Sequence, residues 1–357
     1  MRSPVPACIT VLLPGLFDAL ALWRQDFSFT ARAPCLARLL GAARPVPEPA
    51  GYETVLLNAF GLDAARFSWA MARYRLDTGV ADAPALLCAD PVCLESGVDR
   101  IVLHPEPPPL SIPETGALLT DLNRHLAMDG WQLEAPVPQH WYLRPQPDTA
   151  SAPLPAWPRT VSPLIPGSAS IQPFLPGGPE RWWRRMLTEL QMLLHQHPVN
   201  RVREREGLLP VNSLWLWGLN DPDYVPVRSG RLVAPPPFQQ VAGGGFRGRI
   251  LAAMAGIPWH ESIGDGELEA LCRERADVLL ICPGLLPPLW HDAPEDWQQV
   301  LQQLDAGLFR VLAQQHQAGF CRVILHDGSG RAWHCGPVPF WQRWRRPAVF
   351  DFSRLPP

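Results

Sequence analysis

The run Val278-Leu279-Leu280-Ile281-Cys282 decides the fold, because a short unbroken apolar stretch is typical of a buried strand. A second strand-like run, residues 321–325, follows a segment at 297–311 whose apolar residues recur at helical spacing. A third, residues 7–13, ends at Pro14-Gly15. Apolar strands that alternate with helices predict an α/β core with a largely parallel sheet, covered by helices on both faces.

The loops after these strands are the predicted position of a functional site. Ligands of parallel sheets bind at the carboxyl ends of the strands. Here those ends carry Pro14-Gly15, Pro283-Gly284 and His326-Asp327-Gly328. The glycine run at 243–245 lacks the spacing of a nucleotide-binding loop, so we interpret it as a turn.

The middle of the chain has a different pattern from its two ends. Residues 113–126 and 180–195 carry apolar stripes of helical spacing, and residues 131–144 resemble strand. Residues 145–179 are rich in Pro, Ser and Gly, which predicts a long surface loop. Helices and strands that do not alternate regularly indicate an α+β domain.

These two patterns divide the chain into a discontinuous core and an insertion. We predict a discontinuous core formed by residues 1–95 and 206–357. The inserted α+β domain is predicted at 96–205 and contains the loop at 145–179.

The composition excludes several classes of function. The chain of 357 residues has a net charge of −3 and no lysine, which excludes a Schiff-base lysine and a Walker lysine. A nucleic-acid-binding protein normally carries a basic excess, so we expect no nucleic acid as partner. No apolar run is long enough for a membrane helix, and the 8 cysteines form no CxxC pair. We therefore expect a cytoplasmic protein with reduced thiols and no membrane partner.

Two motifs, HPVNRVR at 197–203 and PVNSLWLWG at 210–218, carry a family resemblance. They resemble the HPxNxxR and PANxIWLWGQG region of archaeal-type cofactor-independent phosphoglycerate mutases, members of the alkaline phosphatase superfamily. The resemblance implies that the discontinuous core at 1–95 and 206–357 is alkaline-phosphatase-like. The stretches ADPV at 89–92 and GPVPF at 336–340 resemble further motifs of that family in the same order. The chain resembles more closely a group of bacterial RpfE-type regulatory proteins, which share ADPV, EIQMLLHEHPVN and PVNSLWLWGGG.

The resemblance implies a catalytic phosphoserine beside two divalent metals, and most residues for that chemistry are missing here. Ungapped counting places Tyr52 in the region of the nucleophilic serine and Pro14 at a metal-binding aspartate. The candidate metal ligands that survive are His291, His326, Asp327 and His334. Hard divalent ions need several oxygen or imidazole ligands. We therefore expect no cofactor, with a single Mn or Zn ion as the alternative.

The signature motifs also supply candidate ligand-binding residues, namely Asn200, Arg203, Asn212 and Trp215. The planar guanidinium of Arg203 suits a phosphate or a carboxylate. The alternative is a solvated charged face, because arginine and glutamate alternate around it. Trp215 and Trp217 lie in a predicted strand, and one of them can line a cleft unless both lie in the core.

Three functional hypotheses follow. The leading one is a non-catalytic regulatory or binding protein, a pseudoenzyme derived from a phosphoglycerate-mutase-like scaffold. Its partner would be an unknown protein or a small anionic ligand. The second is a metal-dependent phosphomutase or phosphatase with a reduced ligand set. The third is a partner-binding scaffold that uses the many tryptophans and prolines. Whether the protein is an enzyme stays open, and the missing residues favour a non-enzyme.

Overall fold

The computed structural model describes residues 5–27, 29, 31–41, 43–80, 85–96, 101–104, 107–146, 180–218, 235–336 and 349–352. The chain forms two compact units, the first made of Met1–Ala64 with Arg231–Pro357 and the second of Ala65–Gly230. Residues 65–95 and 206–230, assigned to the core by the sequence-based division, lie in the second unit. The physical reason is that the strand Leu87–Val92 pairs both with Ser213–Trp217 and with His140–Pro145, which lies in the predicted insertion.

The strands occupy two main sheets. In chain order they are β1 (Ala7–Leu12), β2 (Ala43–Pro47), β3 (Leu87–Val92), β4 (Leu94–Ser96), β5 (Ile101–Leu103), β6 (Trp131–Val137), β7 (His140–Pro145), β8 (Ser213–Trp217), β9 (Gln240–Gly243), β10 (Trp259–His260), β11 (Val278–Ile281), β12 (Cys321–His326) and β13 (Arg331–Cys335). The strand order is β10-β9-β11-β1-β12-β13-β2 in the first unit and β6-β7-β3-β8 in the second, with β4 and β5 as a separate pair. The strands from β10 to β12 in the first sheet run parallel, and β13 and β2 add an antiparallel edge. This confirms the predicted α/β core with a largely parallel sheet.

The helices lie mainly between strands, as the α/β pattern predicts. In chain order they are α1 (Phe17–Phe27), α2 (Pro34–Gly41), α3 (Tyr52–Ala59), α4 (Trp69–Thr78), α5 (Ile112–Leu126), α6 (Glu180–Gln196), α7 (Pro198–Arg205), α8 (Gly245–Ala255), α9 (Asp265–Glu274), α10 (Leu286–Trp290), α11 (Pro294–Leu304) and α12 (Arg310–Ala318). Short turns of other helical types cover Ala127–Asp129, Pro283–Leu285 and Asp305–Phe309. Of the predicted loop at 145–179, residues 147–179 lie outside the described residues. Within the described ranges, none of the helices combines the length and apolar composition that crossing a bilayer requires.

The sheet of the first unit is buried by its helices. Ile9 of β1 and Val323 of β12 lie in one apolar cluster with side chains from α1, α9, α11 and α12. The helical members of the cluster include Trp23, Leu268, Trp297, Leu301, Val311 and Leu312. Val278 and Leu280 of β11 belong to this cluster, and Leu279 and Ile281, which point to the other face, are also buried. The centre of the sheet is therefore buried on both faces. Burial of each large apolar side chain contributes about 1.5–3 kcal/mol.

In the second unit, α5 shows how local sequence starts a helix. The Ser111 side chain accepts the backbone N–H of Glu114, and the Glu114 carboxylate accepts the backbone N–H of Ser111. This reciprocal capping satisfies two donors that the first turn leaves free, and Pro113 fits the same turn. The apolar stripe of the helix is buried against the four-stranded sheet and α6: Leu118, Leu122 and Leu126. The unit therefore has the predicted α+β character.

Candidate functional site

The carboxyl edge of the parallel strands is formed by neighbouring loops of the first unit. Leu12 at the end of β1 pairs with Ile281 on one side and with His326 on the other. The backbone N–H of Leu13 donates to the His326 carbonyl at 2.7 Å. The loops that follow β1, β11 and β12 therefore share one edge, where ligands of parallel sheets bind.

The start of α3 is tied to the loop after β12. The N–H of Gly51 donates to the Gly328 carbonyl at 2.8 Å, and the N–H of Glu48 donates to the Gly330 carbonyl at 3.0 Å. Gly328 has a φ of 80°, and a Cβ there would lie 3.3 Å from the Tyr52 backbone nitrogen. Glycine permits both the conformation and the close approach, which brings Tyr52 to this edge.

The Tyr52 hydroxyl is buried and has no hydrogen-bond partner among the described residues. Burial raises the pKa of Tyr52 to about 12, against the opposing effect of the Arg247 charge. Arg247 is itself fully buried and donates to Glu53 at 2.7 and 3.1 Å. The phenol stays protonated at neutral pH, and none of the described residues supplies the hydrogen-bonded base that activates a nucleophile.

His326 is held by Glu48, with 2.6 Å between Nδ1 and Oε2. The second Glu48 oxygen, Oε1, is buried without a hydrogen-bond partner in the described part of the chain. His334 lies on the same face of the sheet, because it pairs with Ile324, two residues before His326. Partial burial and the His326 charge lower the pKa of His334. The two histidines are therefore neighbours, and one of them already has a carboxylate partner.

Asp327 is only 1% exposed. Its Oδ1 accepts the backbone N–H of Ser329 at 3.1 Å, whereas Oδ2 has no partner within the residues that the structure describes. Burial, aided by the charge of Asp18, raises the pKa of Asp327 to about 6. The surroundings therefore favour the protonated acid, or a ligand that donates a hydrogen bond to the carboxylate.

The four candidate metal ligands do not assemble into a metal site. His291 is exposed at the end of α10, and His334 is exposed on β13. Across the described ranges, no three His, Cys, Asp or Glu residues are arranged so that they could hold a metal ion. The ligand set of the described residues thus does not fit the two-metal site that the family resemblance implies.

The first signature motif is a hydrogen-bond network inside the second unit. Asn200 is buried, and its side-chain nitrogen donates to the carbonyls of Leu194 at 2.7 Å and Val211 at 2.6 Å. Its side-chain oxygen accepts the Val211 N–H at 2.9 Å. Asn200 therefore joins the end of α6 to the segment before β8. Both the nitrogen and the oxygen of its side chain are already hydrogen-bonded to the backbone, so they are not offered to a ligand.

Arg203 is bound by its own chain. The guanidinium is 1% exposed, with Nη1 donating to the Glu114 carboxylate at 2.6 Å and Nε donating to the Leu209 carbonyl at 2.8 Å. Nη2 is buried without a partner among the described residues. The carboxylate that Arg203 binds is thus not that of a ligand but that of Glu114, the residue that also caps α5.

The second signature motif is likewise committed to the fold. Asn212 accepts the Leu94 N–H at 2.7 Å and donates to the Leu94 carbonyl at 2.8 Å. Trp215 is 6% exposed, and the buried Trp217 donates its indole N–H to Asp90 at 2.8 Å. Neither tryptophan lines an open cleft, so the core alternative describes both.

A polar network that no sequence motif indicated lies in the same unit. Arg73 is 3% exposed and donates to both Asp90 oxygens at 2.7 and 2.8 Å and to the Tyr142 hydroxyl at 3.0 Å. That hydroxyl donates to Asp77, which also bonds His140 at 2.8 Å. The network ties α4 to β3 and β7. Its members are scattered along the chain, so local spacing gave no signal for it.

Comparisons with known proteins give short or distant matches. No protein-family model matches the chain. The 2,3-bisphosphoglycerate-independent phosphoglycerate mutase of Methanosarcina barkeri is 38% identical over 60 residues, which are 16% of this chain and 15% of that protein. The match thus spans a small part of the relative's length, and no activity follows from it.

Two solved structures are similar over most of both chains. The PH0037 protein from Pyrococcus horikoshii is 12% identical, with 93% of this chain and 87% of that chain covered and a TM-score of 0.46. The cofactor-independent phosphoglycerate mutase from Thermoplasma acidophilum is 16% identical, with 92% and 89% covered and a TM-score of 0.39.

Proposed function

We propose that this chain is a cytoplasmic, non-catalytic binding protein with a regulatory role, built on a phosphoglycerate-mutase-like scaffold of the RpfE type. The observation that carries the proposal is the state of Tyr52. A hydroxyl nucleophile requires an adjacent base, a lowered pKa or a metal. The Tyr52 hydroxyl has no hydrogen-bond partner among the described residues, and its pKa is raised to about 12. Tyr52 thus lacks the activation that phosphoryl transfer demands.

The same edge supports a binding role. Three buried oxygen atoms around the loop at 326–330 have no hydrogen-bond partner in the described residues: Glu48 Oε1, the Tyr52 hydroxyl and Asp327 Oδ2. A buried polar group without a partner is unfavourable by about 1–3 kcal/mol, so each such group calls for an explanation. A small polar molecule whose hydroxyl or amino groups donate to the carboxylates is the ligand class that fits them.

The proposal is tested by assaying the purified chain for interconversion of 3- and 2-phosphoglycerate across a manganese titration. Tyr52→Phe is the matched variant, because it removes only the hydroxyl. We expect no turnover above the uncatalysed rate for either protein. Turnover that rises with manganese and disappears in Tyr52→Phe would contradict the proposal.

A metal-dependent phosphatase or phosphomutase is the second candidate, favoured by the unpartnered Asp327 oxygen beside His326. Elemental analysis of the purified protein distinguishes it from the first. Stoichiometric Mn or Zn that is lost in His326→Ala and His291→Ala would favour the enzyme. Metal-free protein whose unfolding does not change on addition of manganese would favour the binding protein.

A further inference from the structure

The two faces of the first sheet differ at its β12, β13 and β2 end. On one face, Val323, Leu325 and Trp333 belong to the main core and are at most 5% exposed. The opposite face of the same strands carries Arg322, Ile324, His334, Arg44 and Val46. The strand register places these residues together, because Ile324 pairs with His334 and His334 with Arg44. We call these five residues the arginine face.

The arginine face is accessible, whereas the same side of the sheet is covered further along. Arg322, His334 and Arg44 are exposed, Val46 is 36% exposed, and Ile324 is partly exposed. On β11 and β9, the equivalent side is buried, with Leu279 and Val241 no more than 1% exposed. The uncovered area is therefore confined to the antiparallel edge of the sheet and its neighbour β12.

The exposed arginines of this area are Arg44 and Arg322, whereas the carboxylates beside them, Glu48 and Asp277, are only partly exposed. Neither Arg44 nor Arg322 has a carboxylate partner among the described residues. Glu48, the carboxylate on the same side, is largely buried and bound to His326. Asp277, near the Arg322 end, accepts the backbone N–H of Cys8 at 2.6 Å. Two exposed guanidinium groups therefore lie beside two aliphatic side chains on a flat surface.

We infer that the arginine face docks an extended acidic segment of a partner protein. Its carboxylates pair with Arg44 and Arg322, whose planar guanidinium groups bind carboxylates through two parallel hydrogen bonds. Its aliphatic side chains pack on Val46 and Ile324. This inference goes beyond the proposed binding of a small molecule at the carboxyl edge and does not depend on it.

Strand geometry sets the spacing that the segment must have. Arg44 and Arg322 are two strands apart and two residues apart along the strand direction. With about 4.8 Å between strands and about 3.3 Å per residue, their Cα atoms are about 12 Å apart. Carboxylates at positions i and i+4 of an extended peptide are about 13 Å apart and lie on one side of it. A segment with acidic residues at i and i+4 and an aliphatic residue at i+2, all on one side, therefore matches the face.

The choice of a protein partner follows from the mixture of side chains. A nucleic-acid site is expected to carry a larger basic area, and its binding would rest on phosphate contacts alone. An anionic membrane surface likewise requires a cluster of several basic residues. Two arginines interleaved with Val46 and Ile324 suit carboxylates interleaved with aliphatic side chains.

The test measures fluorescence anisotropy of a labelled synthetic peptide titrated with the full chain. The peptide has glutamate at positions i and i+4, valine at i+2 and serine between them. The double variant Arg44→Glu with Arg322→Glu should weaken binding at least about tenfold, since both attractive pairs become repulsive. The matched control is Arg38→Glu with Arg249→Glu, which changes the net charge equally at exposed positions outside the face. Circular dichroism of both double variants verifies that they are folded.

Each outcome of this test decides the inference. Binding that is lost in the face variant, kept in the control variant and weakened by salt supports it. It is overturned by absence of binding to the unmodified chain, by equal losses in the two variants, or by equal binding of a glutamine and valine peptide. Single-stranded DNA or phosphatidylserine vesicles that bind in place of the peptide, with the same dependence on Arg44 and Arg322, also overturn it.

Discussion

The signature motifs of the second unit and the carboxyl edge of the first unit differ in how their buried polar groups are used. Asn200 and Asn212 bond the chain through both the oxygen and the nitrogen of their amides. At the carboxyl edge, the Tyr52 hydroxyl and Asp327 Oδ2 have no partner among the described residues. The comparison teaches that the residues that carry the family resemblance maintain the fold here. Apart from His197 Nε2 and Arg203 Nη2, the unused bonding capacity that the described residues show in these two regions lies where the resemblance fails.

The largest expected effect tests the structural role of the first motif. Arg203→Ala leaves Glu114 without its ion-pair partner and the Leu209 carbonyl without a donor. We expect it to lower the free energy of unfolding by about 2–4 kcal/mol, given that Glu114 is partly exposed. Urea denaturation measures the change. Arg201→Ala, an exposed neighbour on the same helix, should stay within about 0.5 kcal/mol of the parent. Equal losses in the two variants would break the comparison.

A smaller effect is expected at the end of the second motif. Gly218 has a φ of 92°, and a Cβ there would lie 2.9 Å from the backbone nitrogen of Ala70. Gly218→Ala should therefore combine backbone strain with a clash and destabilise by about 2–3 kcal/mol. Gly207, with a φ of 70° and open space around it, is the control. Gly207→Ala should cost only the strain, about 1 kcal/mol. Thermal unfolding of the pair separates the two contributions.

At the carboxyl edge, the substitution Asp327→Asn is expected to raise the free energy of unfolding, by an amount that depends on pH. The folded-state pKa of Asp327, about 6, lies above its ordinary value of 3.8. The folded protein therefore holds the proton more tightly, and the stability gained in acid is lost as pH rises from 3.8 through 6. Asp327→Asn removes the ionisation, so its stability relative to the parent should rise by about 2 kcal/mol between pH 4 and pH 7. A flat difference would contradict the assignment, and exposed Asp129→Asn is the control.

The parallel strands of the first unit can be predicted from the sequence, because their apolar runs record burial on both faces. The same logic gives α5 and α6, whose stripes record the face that packs. These predictions succeed because strand and helix periodicity are local properties of the chain.

The sequence does not indicate which groups the buried polar residues hydrogen-bond to. Arg203 and Asn200 are named by the family motif, yet the motif does not say that Glu114 and Val211 satisfy them. Arg247 meets Glu53 across 194 residues. Such contacts depend on how distant elements pack, and no local spacing records them. For the same reason, the candidate metal ligands looked like one set in the sequence although the described structure does not assemble them.

The most direct test of the comparison is urea denaturation of Asn200→Ala and Tyr52→Phe side by side at neutral pH. Asn200→Ala removes three buried hydrogen bonds and should lower the free energy of unfolding by about 3 kcal/mol. Tyr52→Phe removes a buried hydroxyl without a partner among the described residues, so stability should be unchanged or rise by up to about 1 kcal/mol. A loss in Tyr52→Phe as large as that in Asn200→Ala, or no loss in Asn200→Ala, would contradict the account.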